Sequence, residues 1–180
     1  MALHDDIALL SQNFKELFWG IGFFGWHLAT LYALFVSSQR DLLYGFLFLV
    51  FFLLSGFLNH KVCKEYIHDL RPADYVLFLK SEDVRKRTNG MPSGHAQQTA
   101  LALTVAYLFT GKYLYESIAL FCITVWQRFV FKNHTALQLA VGGILGFVLG
   151  HIVYALMNRL EPILAKLETG SKKWIQWVLR

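Results

Sequence analysis

Residues 89–110 read "NGMPSGHAQQTALALTVAYLFT". A helix long enough to traverse much of a bilayer opens here on a proline, a serine, a glycine and a histidine. Its remainder, from Thr99 onward, is apolar, so this stretch joins a membrane-type helix to a polar start that needs a chemical reason.

The rest of the chain sets the membrane context. Of 180 residues, 56% are hydrophobic and only 16% charged, with mean hydropathy +0.42. Soluble domains are usually under half apolar and about a quarter charged. Apolar stretches at 17–36, 42–59, 94–110, 113–131 and 134–157 each approach the length needed to cross a hydrocarbon core of roughly 30 Å. The expected fold is therefore an all-α polytopic membrane protein of about five transmembrane helices in one bundle, a single domain over residues 1–180. Trp19, Trp26, Tyr113 and Tyr115 fall in or near helix-end zones, where aromatic belts form. The first and third spans are interrupted, by Gly20, Gly22 and Gly25 and by Gln97 and Gln98.

Amphipathic helices are expected at both ends. The N-terminal stretch has acids where the basic region of a signal peptide belongs, and Ile7, Leu10, Phe14 and Leu17 recur at helical spacing. At the other end Leu160, Ile163, Leu164 and Leu167 share a face, with Trp174 and Trp177 beside Lys172 and Lys173. That pattern suits a helix lying on the membrane surface, or one that caps the bundle. A net charge of +5, spread over membrane flanks, points to lipid head groups or a phosphorylated substrate rather than to nucleic acid. Cys63 and Cys122 make no metal or redox pattern.

Three polar clusters punctuate the apolar helices. "KEYIHDLRP" carries Lys64 and Arg71 after the second stretch. "PSGH", Pro92 to His95, opens the third, and "QRFVFKNH" sets Arg128 at the end of the fourth and His134 at the start of the fifth. Alternating crossings bring all three to one face. Lys64, Arg71 and Arg128 converge without matching carboxylates, which calls for an anion, and guanidinium groups suit phosphate oxygens. A helix N-terminus adds N–H donors and the positive end of its dipole, and Gly94 allows close approach. Two histidines then suit phosphoryl transfer, one as nucleophile and one as acid and base. No Asp/His/Cys cluster has metal-ligand spacing, so no metal or other cofactor is expected, and fixed cations would clamp the phosphoryl oxygens.

Lys-x6-Arg-Pro, Pro-Ser-Gly-His and Arg-x5-His, in that order, resemble the signature blocks of the type 2 phosphatidic acid phosphatase (PAP2) superfamily, from Lys64 to Gln138. The resemblance implies that His134 is a nucleophile forming a phosphohistidine and that His95 protonates the leaving group. It implies that Lys64, Arg71, Ser93, Gly94 and Arg128 cradle the phosphate. Two positions depart from the pattern. Gln127 stands where the family has serine, and Gln138 stands where it has an aspartate four residues after the nucleophile. Gln138 shares a helix face with His134 and can orient its ring but not charge it. "GMPSGHAQ" and "HTALQLAVGG" are similar to the dolichyl diphosphatase branch, and Asn59 before Lys64 loosely so. That branch implies hydrolysis of an isoprenoid (dolichyl or polyprenyl) diphosphate to the monophosphate. A broader lipid phosphate phosphatase and a lipid-phosphate binder without turnover stay open beside it.

The superfamily implies an active site facing away from the cytosol: the lumenal side of the endoplasmic reticulum in a eukaryote, the outer side of the plasma membrane otherwise. Setting aside the three cradle cations, basic residues split seven to each face, so charge gives no orientation. Among the remaining features, His27 and His151 are read as bonding across the bundle, and Asn133-His134-Thr135 as a coincidental glycosylation sequon. Gly142, Gly146 and Gly150 form a stripe for close packing within the chain or between copies, a homo-oligomer in the second case. Residues 73–91 are read either as a lid over the cradle or as a segment at the interface.

Overall fold

The computed structural model describes residues 2–72 and 89–178, with side chains described over 20–72, 89–163 and at 166. Among them no strand occurs; the only β feature is an isolated antiparallel bridge between Leu70 and Asn89. The helices are α1 (Ala2–Arg40), α2 (Leu42–Leu58), a π-helical turn (Asn59–Cys63), α3 (Lys64–Tyr66), α4 (Gly94–Thr110), α5 (Leu114–Val130) and α6 (Ala136–Val178).

Local chemistry sets several of these limits. Asp41 stops α1 and caps α2, its carboxylate accepting the Leu43 N–H at 2.9 Å. Ser93 caps α4 through the Ala96 N–H, and α4 ends at Gly111, whose φ of 63° suits a residue without a side chain. The ends of α4 fall where the sequence places them. The terminal segments do not: the expected amphipathic helices are not separate elements but continuations, α1 running 39 residues and α6 running 43, through Pro162. Their expected apolar faces lie almost wholly outside the described side chains.

Among the described residues three helices are long and apolar enough to cross a membrane: Gly20–Arg40, Leu42–Tyr66 and Ala136–Ile163. Their outward faces carry exposed Leu31, Phe35, Phe46, Phe57, Ile144 and Phe147, the inverse of a water-facing surface. Helices α4 and α5 have 17 residues each, which at ~1.5 Å per residue is about 25 Å. Five long helices are thus present, but length and composition mark three as spans.

Helix α4 sits at the centre, packed against α1, α2, α5 and α6, and is buried nearly all round from Ala96 to Ala106. This explains its polar opening turn. Gln97 donates to Ser55 Oγ at 2.8 Å and accepts from Asn59, while Gln98 donates to the Phe52 carbonyl at 3.3 Å. The two glutamines that interrupt the apolar pattern are therefore the hydrogen-bonded seam between α4 and α2. Groups so paired avoid the several kcal/mol that an unsatisfied polar group costs in hydrocarbon.

The glycines of α1 likewise serve packing. The helix runs unbroken through Gly20, Gly22 and Gly25; a Cβ at Gly22 would meet Gln127 and one at Gly25 would meet Thr124, both on α5. The stripe on α6 faces α4 of the same chain: a Cβ at Gly142 would lie 2.6 Å from the Ser93 carbonyl, and one at Gly150 would lie 2.6 Å from Thr104. At Gly146 it would meet the Gln97 carbonyl and, at 2.9 Å, the Ala100 methyl. Gly146→Val should therefore lower the melting temperature in detergent. Overpacking costs about 1–3 kcal/mol, and rigid backbone opposite puts this site at the upper end. Gly20→Ala is the control: a Cβ there meets nothing within 4 Å, so its melting temperature should hold or rise.

His27 and His151 do not bond across the bundle. Both are exposed. His27 lies against Trp26 and Phe24 of its own helix, and His151 Nδ1 donates to the Phe147 carbonyl one turn back at 3.0 Å. On a bundle bathed in lipid, a ring that closes a bond within its own turn can face outward. Both cysteines are free thiols.

Candidate active site

One end of the bundle collects the three polar clusters that carry Lys64 and Arg71, His95, and Arg128 and His134. The π-helical turn closing α2 is the first device. It adds a residue to the helical turn and ends at Lys64, with buried Asn59 tied to Gln97 of α4. Such turns are rare and often sit at functional sites. Beyond α3 the chain returns at Asn89: its side chain donates to the Lys64 carbonyl at 2.7 Å, and the Gly90 N–H donates to the Asp69 carbonyl at 2.7 Å. These bonds hold Lys64 and the Arg71 segment beside the start of α4. The stretch expected as a lid falls, from residue 73 to 88, outside the described residues.

His95 lies in the first turn of α4, between the rings of Phe23 and Trp26, with centroids at 6.2 and 6.0 Å. Arg128, near the end of α5, is 5% exposed. Its guanidinium lies over Phe23, 5.1 Å from the centroid, and its Nη2 meets His95 Nε2. An arginine N–H can only donate, so His95 Nε2 carries the lone pair and Nδ1 the proton. The Arg128 Nε is buried with no partner among the described residues.

His134, in the turn before α6, is 2% exposed. Its Nδ1 lies 3.2 Å from Gln138 Oε1. The network around this amide fixes which of its ends is oxygen. The Thr135 N–H, which can only donate, faces Oε1 at 3.2 Å; the Leu70 carbonyl, which can only accept, faces Nε2 at 3.1 Å. With oxygen toward the ring, His134 Nδ1 must carry the hydrogen, leaving the Nε2 lone pair free. Burial first, then the charges of Arg71 and Lys64, pushes the His134 imidazole down to about 3, opposed by the Gln138 hydrogen bond. At neutral pH the ring is uncharged, with an unprotonated nitrogen available.

The seven motif positions and Gln138 are thus gathered together. Lys64, Arg71 and Arg128 act electrostatically on both His95 and His134, and His134 acts on His95. Ser93 stands at the N-cap of α4: its hydroxyl oxygen accepts the Ala96 N–H and its own N–H donates to the Gln138 carbonyl at 3.1 Å, which leaves the hydroxyl hydrogen available to an anion. The N–H groups of Gly94 and His95 are the ones left without a protein acceptor among the described residues. A Cβ at Gly94 would meet only Asn59 Oδ1, at 3.9 Å, so packing does not require glycine there. Asn133 is 2% exposed and donates to the Phe131 carbonyl, leaving no room for a glycan at the sequon.

Two further residues at the site are given no role by the motifs, although Gly90 opens the stretch "GMPSGHAQ". Asp69 accepts from Gln138 Nε2 at 2.9 Å. Gly90 lies against the same amide, where a Cβ would be 2.7 Å from Cδ. The only sequence signal for Asp69 is its place two residues before Arg71. Among the described residues no group of three or more His, Cys, Asp or Glu could hold a metal ion.

Three cations and two imidazoles lie around a helix N-terminus at one end of an apolar bundle, an arrangement whose fixed charge is able to hold a phosphoryl group. The chain belongs to the PAP2 superfamily, which it matches over residues 44–162. It is accordingly a membrane protein of a phosphatase family, and its coarse activity is hydrolysis of phosphorylated, lipid-like substrates. No curated protein and no solved structure matches it.

Proposed function

We propose that the protein hydrolyses an isoprenoid diphosphate to the monophosphate through a phosphohistidine on His134. In this reading Lys64, Arg71, Arg128 and the N–H groups of Gly94 and His95 clamp the terminal phosphoryl group. Its oxygens take over the Arg128 guanidinium, releasing His95 Nε2 to take up a proton. His134 Nε2 forms the N–P bond as the bond from phosphorus to the bridging oxygen breaks, and His95 gives its proton to that oxygen. Water then attacks the phosphohistidine, His95 accepts the water's proton, and the N–P bond breaks to release inorganic phosphate. Each substrate consumes one water; His134 is restored when the N–P bond breaks, and His95 releases its proton to solvent as phosphate leaves and Arg128 returns to its Nε2.

The observation that carries the substrate class is the neutral amide on His134 Nδ1. A carboxylate there would stabilise the positive charge the ring acquires; an amide does so less. The deficit matters most where the leaving group is poor. A lipid monophosphate must expel an alkoxide, whereas a diphosphate expels a phosphate monoester whose second pKa is about 6. For the hydrocarbon tail we assign the apolar cavity of about 840 Å³ between α4, α5 and α6, which is lined by Phe129 and Ala136 close to the site in sequence and reaches Leu114 and His151. All five long helices then cross the bilayer, locally thinned at α4 and α5. The site faces the endoplasmic reticulum lumen or, in a bacterium, the outer side of the plasma membrane.

Phosphate release from a polyprenyl diphosphate and from phosphatidate, with and without excess EDTA, tests the proposal. The diphosphate should turn over at least tenfold faster, a barrier difference of about 1.4 kcal/mol or more. Its product should be the lipid monophosphate, EDTA should change neither rate, and vanadate should inhibit both. Faster cleavage of phosphatidate would overturn the substrate class. Loss of activity on chelation, restored by a divalent ion, would overturn the mechanism.

A further inference from the structure

We infer that Asp69 is a positioning residue that supplies, through the Gln138 amide, the negative charge His134 lacks at its own Nδ1; the inference rests on the phosphohistidine reading above. The geometry is a three-member chain. His134 Nδ1–H donates to Gln138 Oε1 at 3.2 Å, and Gln138 Nε2–H donates to Asp69 Oδ2 at 2.9 Å. Both ends of the amide are further pinned, Oε1 by the Thr135 N–H and Nε2 by the Leu70 carbonyl. The amide cannot rotate by a half turn without setting donor against donor and acceptor against acceptor.

A carboxylate on the N–H side of an amide polarises it. Electron density shifts toward Oε1, so the oxygen facing His134 becomes a stronger acceptor, and bonds in such a chain strengthen one another. The charge of Asp69 therefore reaches the ring at one remove, weaker than a direct carboxylate and stronger than an isolated glutamine. Neighbouring backbone holds Asp69 in this position. Its carbonyl accepts from Gly90, Leu70 pairs with Asn89, and the missing Cβ of Gly90 lets the amide lie against the main chain. Gln138 has no other carboxylate partner among the described residues, and Asp69 meets no cation there that would neutralise it.

The decisive variants move the charge rather than remove it. Asp69→Asn keeps the size and offers an amide oxygen to Gln138. It should lower kcat on polyprenyl diphosphate about tenfold while KM stays within about twofold. Gln138→Glu alone, which keeps the length of the native side chain, puts two carboxylates face to face and strips the Leu70 carbonyl of its donor, so it should also be impaired. Asp69→Asn combined with Gln138→Glu places one carboxylate directly on His134 Nδ1 with an amide behind it, and should recover at least wild-type kcat. Vanadate affinity, measured calorimetrically on the full chain in detergent, should follow the same order, because vanadate draws the same positive charge onto the ring. Wild-type kcat in Asp69→Asn, or a double variant no better than Asp69→Asn, would overturn the inference. If the wild-type protein releases no phosphate from any lipid, the functional reading fails on its own. The order of vanadate affinities then decides the inference: weaker binding in Asp69→Asn with recovery in the double variant upholds it, and equal binding overturns it.

Discussion

His134→Ala is expected to abolish phosphate release, lowering kcat by on the order of 10⁴-fold or more, while inorganic phosphate and vanadate still bind the cradle. His134 supplies the lone pair that attacks phosphorus, and nothing else at the site can. His95 Nε2 is held by Arg128 in the empty site and carries the proton for the leaving group once substrate displaces that guanidinium, and the cations carry no lone pair. Binding should survive because Lys64, Arg71, Arg128 and the α4 N-terminus remain, although the part of vanadate affinity that comes from bonding to Nε2 disappears. The pH dependence separates this from a role in folding. With His134 at about 3 in the empty site, its nucleophilic form is present at all higher pH. The acid limb of kcat/KM should then follow the phosphate second pKa of about 6 rather than a histidine of ordinary pKa. A wild-type protein that binds lipid phosphates yet releases phosphate from none would be a binder. A His134→Ala variant that still turns over at more than a hundredth of the wild-type rate would remove the phosphohistidine.

The legible features are those written in local chemistry. Ser93 and Gly111 mark the ends of α4 because a cap and a positive φ are decided within a few residues. The three polar blocks are legible as one cluster because cations and histidines at the ends of apolar helices need a shared polar environment. Alternating helices bring them to one end whatever the packing. The features that mislead depend on contacts between distant segments. Gln97 and Gln98 look like faults in a span until Ser55, Asn59 and Phe52 are found opposite them. Gly22 and Gly25 look like breaks until Gln127 and Thr124 fill the space. Asp69 is 69 residues from Gln138, and no spacing rule links them. At the termini, a change from amphipathic to apolar pattern looks like a break, whereas the backbone of one helix carries both. Lipid also reverses the usual rule for His27 and His151: a polar ring that bonds or stacks within its own helix has no need of the interior.

Asp69 also changes what a substitution at Gln138 can be expected to do. From sequence, Gln138→Asp restores the family's usual histidine–aspartate pair and should quicken monophosphate turnover. In the folded protein an aspartate is one methylene too short to fill the amide's place, whereas the carboxylate of Gln138→Glu would stand there and face Asp69, since the amide nitrogen now lies 2.9 Å from Asp69 Oδ2. Like charges at such separations raise one partner's pKa, so one of the pair would hold a proton and the gain would be lost. Faster hydrolysis of phosphatidate is therefore expected of Asp69→Asn combined with Gln138→Glu, not of a carboxylate at 138 alone.

Arg128→Met should cost about 10³-fold in kcat/KM without lowering the melting temperature. Arg128 is 5% exposed and, among the described residues, meets no carboxylate; its contacts are His95 Nε2 and the face of Phe23, and its Nε is unpaired. A cation so placed is a liability to the empty protein, because burying an ion costs several kcal/mol that only an opposite charge offsets. In the proposed function the anion that offsets it is the substrate. Removing one donor aimed at developing phosphoryl charge typically costs 10²–10³-fold, and here the loss should reach the upper end, since the same side chain also holds His95 in place. Arg128→Lys should recover little. An ammonium neither stacks flat on Phe23 nor presents two parallel donors to a phosphate. The decisive comparison is thermal unfolding in detergent with and without vanadate. Wild-type protein should gain stability with vanadate as RT ln(1 + [L]/Kd) requires, while Arg128→Met should start at an equal or higher melting temperature and gain far less. A variant that melts well below the wild type yet keeps its response to vanadate would mean that Arg128 serves the fold, and that the phosphate is held by Lys64, Arg71 and the helix N-terminus alone.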